Sequence, residues 1–143
     1  MDFKKYTGYF HDGTLIGVRK KENNMEIFLE SCEISSDEFT DKKKLSKANT
    51  LKGKLCLIGI KWIKVDEKEG KEIPCDEYDD GEILRFRMNS GKVFFLIEWK
   101  NFPPKPCIED IGTIEIEAKK IYWKNIPELP DNYRDECHTQ GMT

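Results

Sequence analysis

Part of the chain is repeated, and this repeat constrains the fold more than any other feature of the sequence. The residues of Asp12-Gly13 recur 68 positions later at Asp80-Gly81, and residues 14–30 match residues 82–98 at that spacing without a gap. The apolar residues of the first segment, among them Leu15, Val18, Met25 and Ile27, all correspond to apolar residues in the second. The identical pairs are Asp12/Asp80, Gly13/Gly81, Arg19/Arg87 and Glu30/Glu98. Such a match predicts an internal duplication.

Each copy has the pattern of three antiparallel strands. Alternate residues such as Met25, Ile27 and Leu29 are apolar, which is typical of a strand with one buried face. The predicted strands cover residues 14–20, 25–34, 53–65, 82–88, 92–99 and 112–124. We therefore predict an all-β fold in which two duplicated three-stranded meanders form a β-sandwich or a flattened barrel.

The third strands match at a shorter spacing of 59 residues, from Gly53 and Gly112 onward. At a small residue, Gly59 in one copy and Ala118 in the other, the apolar pattern moves by one position. A change of phase at a small residue predicts a bulge or a strand corner. The apolar residues after the change are Ile58, Ile60 and Trp62 in the first copy and Ile121 and Trp123 in the second.

Length and charge limit the domain organisation and the class of partner. Residues 1–130 are predicted to form a single all-β domain with repeats at about 12–65 and 80–124, followed by a flexible C-terminal tail at 131–143. The net charge of -3 is too near balance for the basic face that nucleic-acid binding needs. No apolar run approaches the roughly 20 residues of a membrane span, and the N-terminus has no secretory signal. We expect a cytoplasmic protein without nucleic-acid or membrane partners. The sequence does not determine its oligomeric state.

The five cysteines argue against a disulfide framework or a zinc site, because their number is odd and none forms a Cys-x-x-Cys pair. Free thiols suit a reducing compartment. Cys32 and Cys56 lie in apolar strands and are predicted to be core residues. The set is Cys32, Cys56, Cys75, Cys107 and Cys137.

Catalysis has little support, and we predict neither enzymatic activity nor a cofactor or metal. His138 lies beside Cys137, an arrangement poorly suited to nucleophilic attack. His11 is expected to be an exposed loop residue. The chain has no phosphate-binding glycine loop and no nucleophile elbow. Four carboxylates precede the second copy: Asp76, Glu77, Asp79 and Asp80. They could bind calcium, but they lack the spacing of an EF-hand, so we predict that they form an exposed acidic patch.

Glu30 and Glu98 each follow a core-facing residue inside an apolar strand. Two interpretations are open. The side chains face solvent, or they are partly buried and paired with Arg19 and Arg87 on the neighbouring strands.

A segment rich in prolines and aromatic residues is the best candidate for function. It follows Trp99 in the second copy and has no counterpart in the first, where Ser31 matches Trp99. Function often lies where a rigid scaffold carries a distinctive loop, and exposed aromatic residues make good interface anchors. The predicted partner-binding residues are Trp99, Phe102, Pro104 and Trp123. The alternative is that Trp99 and Phe102 cap the core.

Two short segments, Tyr9-Phe10-His11-Asp12-Gly13 and Ile97-Glu98-Trp99, resemble small uncharacterised bacterial proteins. Some of these are similar to immunity proteins that neutralise polymorphic toxins. The resemblance implies a cytoplasmic, non-catalytic inhibitor that binds one toxin domain. We thus predict a non-catalytic protein-binding module, with an immunity protein as its specific form. The alternatives are a small-ligand-binding β-barrel that uses the space between the sheets, and a metal-dependent enzyme with an acidic site.

Overall fold

A computed structural model describes residues 2–35, 37, 39, 41–107 and 109–130. The predicted tail 131–143, which includes Cys137 and His138, lies outside the described residues. A 3₁₀ helix, Phe3–Phe10, precedes the strands, and a second, Lys42–Lys44, lies between β2 and β3. The strands are β1 Thr14–Lys21, β2 Asn24–Glu30, β3 Lys52–Val65, β4 Lys68–Glu69, β5 Asp80–Asn89, β6 Lys92–Lys100 and β7 Glu109–Asn125. Within these ranges, no helix has the length and apolar content to cross a membrane.

The six long strands form a closed ring of antiparallel pairs. Its order is β1-β2-β3-β7-β6-β5, and β5 returns to β1. The closing contact is narrow, because β1 and β5 are paired only through Thr14 and Glu82. Short β4 pairs with the last residues of β3. The predicted all-β fold of two three-stranded meanders, β1–β3 and β5–β7, is confirmed.

The two meanders share their strand registers. The β1–β2 ladder shifts between Leu15 and Gly17, and the β5–β6 ladder shifts between Ile83 and Arg85. These irregularities are separated by the repeat spacing, so each hairpin has its bulge at the matched position. The single pair that closes the ring also joins matched positions. This arrangement is what a two-fold relation between the meanders requires.

Apolar side chains from alternate positions fill the ring. In β7 the buried residues are Ile114, Ile116 and Ala118, and beyond Ala118 the inward phase moves to Ile121 and Trp123. The change of phase predicted at Ala118 is therefore present. A small second cluster on the outer face consists of Ile16, Phe28 and Leu129, with Ile126 packed against it.

In β3 the phase changes twice rather than once. Gly59 adopts a φ of +68°, a left-handed conformation that favours glycine, and the β3–β7 register shifts between Ile60 and Trp62. Ile63 consequently packs against the core together with Ile60. The predicted inward positions Ile58 and Trp62 are wrong: Ile58 is 36% exposed, and Trp62 is displaced by this register shift.

Candidate functional site

The proline-rich segment at 101–107 joins β6 to β7 and stands out from the barrel. Phe102 is 49% exposed, and its proline neighbours are exposed as well. The exposure required of Phe102 and Pro104 for a partner-binding role is therefore met. Ile111, near the start of β7, is 59% exposed and adds a further apolar side chain.

Asp79 holds this loop in place. Its carboxylate accepts a hydrogen bond from the backbone N–H of Phe102 at 2.8 Å and another from Lys105 Nζ at 2.9 Å. The backbone N–H of Asp79 in turn donates to Asn101 Oδ1 at 3.0 Å. Hydrogen bonds to both sides of one aspartate order the loop before any partner arrives, which lowers the entropic cost of binding.

The same aspartate places the acidic patch beside Phe102. Asp76 and Glu77 are exposed on the segment that leads to Asp79. Tyr78 crosses to β7, where its hydroxyl donates to Asp110 at 3.3 Å. We call Asp76, Glu77, Phe102, Pro104 and Asp110 the acidic loop surface. It takes Phe102 and Pro104 from the predicted partner-binding residues and Asp76 and Glu77 from the predicted acidic patch, and Asp76 also lines the groove described below. Of the other patch residues, Asp79 anchors the loop and Asp80 is partly buried in β5.

Trp99 is not part of this surface, and the surface role predicted for it is wrong. Only 3% of the residue is exposed. The indole stacks on Tyr78 at a centroid distance of 5.6 Å. It also lies over two glycines: a Cβ built on Gly81 would be 2.7 Å from the ring, and a Cβ built on Gly112 would be 3.2 Å from Nε1. Glycines on both neighbouring strands make the room that the indole occupies. The alternative that Trp99 caps the core is the one that fits.

Trp123 belongs to a different part of the molecule from Phe102. Its ring stacks on Phe3 at 4.5 Å and meets Phe10 edge-on at 5.6 Å, and its Nε1 donates to Asn125 at 3.2 Å. The residue is half-buried beneath the N-terminal helix. We assign it to packing between that helix and the barrel. The sequence analysis made no prediction for this helix.

The strand glutamates are paired differently from either alternative considered for them. Both are half-buried, but neither pairs with the arginine of its own copy. Glu30 accepts a hydrogen bond from Thr50 Oγ1 at 2.7 Å, and Glu98 pairs with Lys100 at 3.0 Å. Arg19 binds Glu26 instead, directly across the β1–β2 ladder. The predicted pairing of Arg19 with Glu30 is wrong because these residues are not opposite each other in the register.

Glu26 is the centre of a cross-strand charge cluster. It binds Arg19 on β1 and Lys54 on β3. Burial alone would raise the pKa of this carboxyl, but the hydrogen bonds from Lys54 and Arg19 outweigh burial and lower the pKa below its ordinary value. The cluster therefore stabilises the ionised form and ties three strands of the first meander together.

We expect the Glu26→Gln variant to lose about 1–3 kcal/mol of stability at pH 7, the range for hydrogen bonds to charged groups. A lowered pKa in the folded state stabilises the fold above the unfolded-state pKa, and this contribution is lost as the pH falls through the folded-state pKa. The gap between wild type and variant should thus shrink towards pH 3.5 in urea denaturation. Glu22→Gln, at an exposed turn residue, is the control and should change little. A gap independent of pH would contradict this role for Glu26.

A groove of about 820 Å³ lies between the first meander and the segment that follows β4. Its apolar lining includes Val18, Met25, Ile60, Ile63 and Ile73. Its charged lining comes from both walls. The barrel contributes Arg19, Lys20 and Lys61, and β4 with the segment after it contributes Glu69, Lys71, Glu72 and Asp76. The volume lies within the range of small-molecule pockets. The sequence analysis missed this site, because it depends on how far a long connection folds back over the strands.

The remaining candidates for chemistry lie apart from one another. His11 is exposed, and its Nδ1 hydrogen-bonds to the carbonyl of Leu84 at 2.6 Å. Among the described cysteines, Cys56 and Cys75 are buried, Cys32 is intermediate, and all are free thiols. Cys32 is thus less buried than the predicted core position. Within the described part of the chain, no group of three or more His, Cys, Asp or Glu side chains could hold a metal ion.

Comparison with known proteins found no matching family model, no similar curated protein and no similar solved structure.

Proposed function

We propose that the protein is a non-catalytic protein-binding module that contacts its partner through the acidic loop surface. The observation that carries the proposal is the exposed ring of Phe102 on a loop that Asp79 holds through two hydrogen bonds. An ordered loop with an exposed aromatic side chain has the properties of an interface hot spot.

The charges around the loop define the partner. Asp76, Glu77 and Asp110 supply the carboxylates of the acidic loop surface, and each is exposed. An acidic surface attracts a basic one and raises the association rate, and the attraction weakens as salt screens it. The partner is therefore a protein with a basic face and an apolar pocket for Phe102.

An immunity protein that neutralises a bacterial toxin is the specific form of this proposal. It is supported by the resemblance of residues 9–13 and 97–99 to small bacterial proteins, some of which are similar to immunity proteins, and by the acidic character of the surface. A toxin domain that acts on nucleic acid would carry the complementary basic face. The cytoplasm is the compartment that this role implies.

The test compares capture from a lysate of the native host by three forms of the tagged protein. They are the wild type, Phe102→Ala and Ile58→Ala, the last being a matched control because Ile58 is exposed on β3. With a purified captured partner, we expect Phe102→Ala to weaken binding by about 2 kcal/mol or more, roughly 30-fold, with little loss of stability. Ile58→Ala should bind like the wild type.

Salt and charge variants complete the test. Glu77→Lys should slow association, and the affinity of the wild type should fall as the ionic strength rises. Unchanged affinity in the folded Phe102→Ala variant would show that this loop is not the binding site. Turnover of a substrate by the purified protein would contradict a non-catalytic role.

A further inference from the structure

The groove of the first meander has a counterpart in the second, and that counterpart is filled. At the repeat spacing, Val18 corresponds to Phe86 and Lys20 to Met88. Phe86 and Met88 both pack against the core. Val18 also packs against it but lines the groove as well, and Lys20 lines the groove too. The first meander has a smaller and a charged residue where the second has large apolar ones, which leaves space at this place.

The third strands show the same contrast. Leu55 corresponds to Ile114 in the repeat. Across the β3–β7 ladder, Leu55 pairs with Trp123 and Ile114 pairs with Val65. Trp123 and Val65 are therefore at equivalent positions in the two-fold arrangement. An indole thus occupies in the second meander the place that the smaller side chain of Val65 has in the first. Val65 does not line the groove, so the differences that bear directly on the groove are those at Val18 and Lys20.

The counterpart is completed by a segment of the chain itself. Phe3 of the N-terminal helix stacks on Trp123 at 4.5 Å and lies 6.0 Å from Phe86, and Phe10 meets Phe86 edge-on at 5.7 Å. Phe10 is fully buried. The second meander therefore binds a polypeptide segment through two aromatic anchors.

Backbone groups take part in that contact. The N–H of Asp12 donates to the carbonyl of Ile83 at 2.8 Å, and His11 hydrogen-bonds to the carbonyl of Leu84 at 2.6 Å. The segment that follows the N-terminal helix thereby covers the edge of β5 that faces away from β6. An uncovered edge would offer these groups to another chain.

The matching edge of β1 is open. Lys21 pairs with Asn24 across a two-residue turn. Hydrogen-bonded and non-hydrogen-bonded pairs alternate along an antiparallel ladder, so the backbone N–H and C=O groups of Val18 and Lys20 point away from β2. On that side β1 meets β5 only at Thr14. The described residues form no other strand pairing there. The groove thus combines an open strand edge with an apolar floor.

The charges of the groove fit a peptide better than a polyanion. The barrel wall carries Lys20 and Lys61 besides Arg19, which is paired with Glu26. The other wall carries Glu69, Glu72 and Asp76 besides Lys71, which is paired with Asp66. Lys20, Lys61, Glu69 and Glu72 are exposed, and among the described residues none of these four forms an ion pair. A segment that carries both acidic and basic residues can satisfy both walls at once, whereas a chain of like charges would be repelled by one of them.

Building on the protein-binding function proposed above, we propose that this groove binds a second, extended peptide segment of a partner protein. The segment adds to the open edge of β1 and inserts an aromatic side chain between the apolar residues of the groove. Strand addition supplies backbone hydrogen bonds, and the aromatic anchor supplies specificity. The ligand is thus a mixed-charge peptide with an aromatic residue, and its site is separate from Phe102.

The test uses a random dodecapeptide library displayed on phage and selected against the full chain. We expect enrichment of mixed-charge peptides with an aromatic residue. A fluorescein-labelled synthetic copy of an enriched peptide should bind in fluorescence anisotropy, and Val18→Phe, which introduces the residue of the second meander, should raise Kd at least 10-fold. Lys20→Glu should raise Kd at least threefold. Lys21→Glu, the same change at a neighbour outside the groove lining, should leave Kd unchanged.

Thermal denaturation of each variant checks that it is folded, and Lys20→Glu keeps the test decisive should Val18→Phe unfold. Absence of enriched peptides would overturn the proposal, and so would enriched peptides that bind the folded groove variants like the wild type. If Phe102→Ala is the only variant that no longer binds the enriched peptides, they bind at the acidic loop surface and the groove site is refuted.

Two other occupants would give distinct results, each against the peptide. Dimerisation of the wild type in sedimentation velocity, abolished by Val18→Phe, would make a second copy of this chain the occupant. If no peptide is enriched, and the wild type binds the dye 8-anilinonaphthalene-1-sulfonate but Val18→Phe does not, the groove is a small-molecule site.

Discussion

Replacing Trp99 by alanine is expected to destabilise the protein by about 3–5 kcal/mol, the range for removing a buried tryptophan. The indole is 3% exposed and is held between β5 and β7. Its neighbours across the ladders include Gly81 and Gly112, which carry no side chain that could move into the cavity. The measurement is urea denaturation at pH 7 followed by circular dichroism.

Trp62→Ala is the matched control for this change. Trp62 is only partly buried, and Lys64 lies over its ring at 4.9 Å, so the loss should be about 1 kcal/mol. A second variant tests the packing directly. Gly81→Ala should destabilise the wild type, because its Cβ would meet the indole at 2.7 Å, and should cost less in the Trp99→Ala background. A loss below about 1 kcal/mol for Trp99→Ala would show that the indole is not packed as described.

The burial of Trp99 could have been predicted from the sequence by strand periodicity alone. Val93, Phe95 and Ile97 face the core in β6, and Trp99 continues the same alternation. The comparison with Ser31 pointed the other way, because a difference between repeats suggested a surface role. Both positions are buried, and Gly13, which corresponds to Gly81, lies beside Ser31, since a Cβ built on it would be 3.1 Å from Ser31 Cα. The repeat therefore kept the position buried while the residue at it changed.

The strands and their pairing were predictable because each copy carries the same alternating pattern. A period of two fixes which face is buried, and two matched copies fix the register. The register shift in β3 was not predictable, since it depends on how Ile60 and Trp62 meet β7 in the closed ring. Sequence patterns describe one strand at a time, whereas this irregularity arises between two.

The binding surfaces were predictable only in part, for the same reason. Phe102 and its prolines could be identified locally, because a loop that interrupts a repeat is visible in the sequence. The role of Asp79 as an anchor depends on a contact with residues more than twenty positions away. The groove could not be predicted because it depends on a difference between the two meanders: the N-terminal helix packs on only one of them, the second.

Replacing Phe10 by alanine is the second change with a large expected effect, again about 3–5 kcal/mol. Phe10 has no exposed surface and contacts Phe3, Phe86 and Trp123 at centroid distances of 5.5, 5.7 and 5.6 Å. The ring lies at the end of a 3₁₀ helix, and such a short helix has little stability of its own. Loss of the ring should therefore release the N-terminal segment as well as create a cavity.

Phe102→Ala is the matched control, because it makes the same chemical change at a residue that is 49% exposed, and it should cost less than about 1 kcal/mol. Release of the segment has its own signature. The backbone contacts made by His11 and Asp12 along β5 would be lost, so amide hydrogen exchange of Asp12 and of Ile83, which donates to Gly13, should rise in Phe10→Ala. Arg19 and Glu26 form a pair further along the β1–β2 ladder, and their amides should keep their protection. If Phe10→Ala is destabilised while Asp12 and Ile83 stay protected, the aromatic contacts do not hold the N-terminal segment on the second meander.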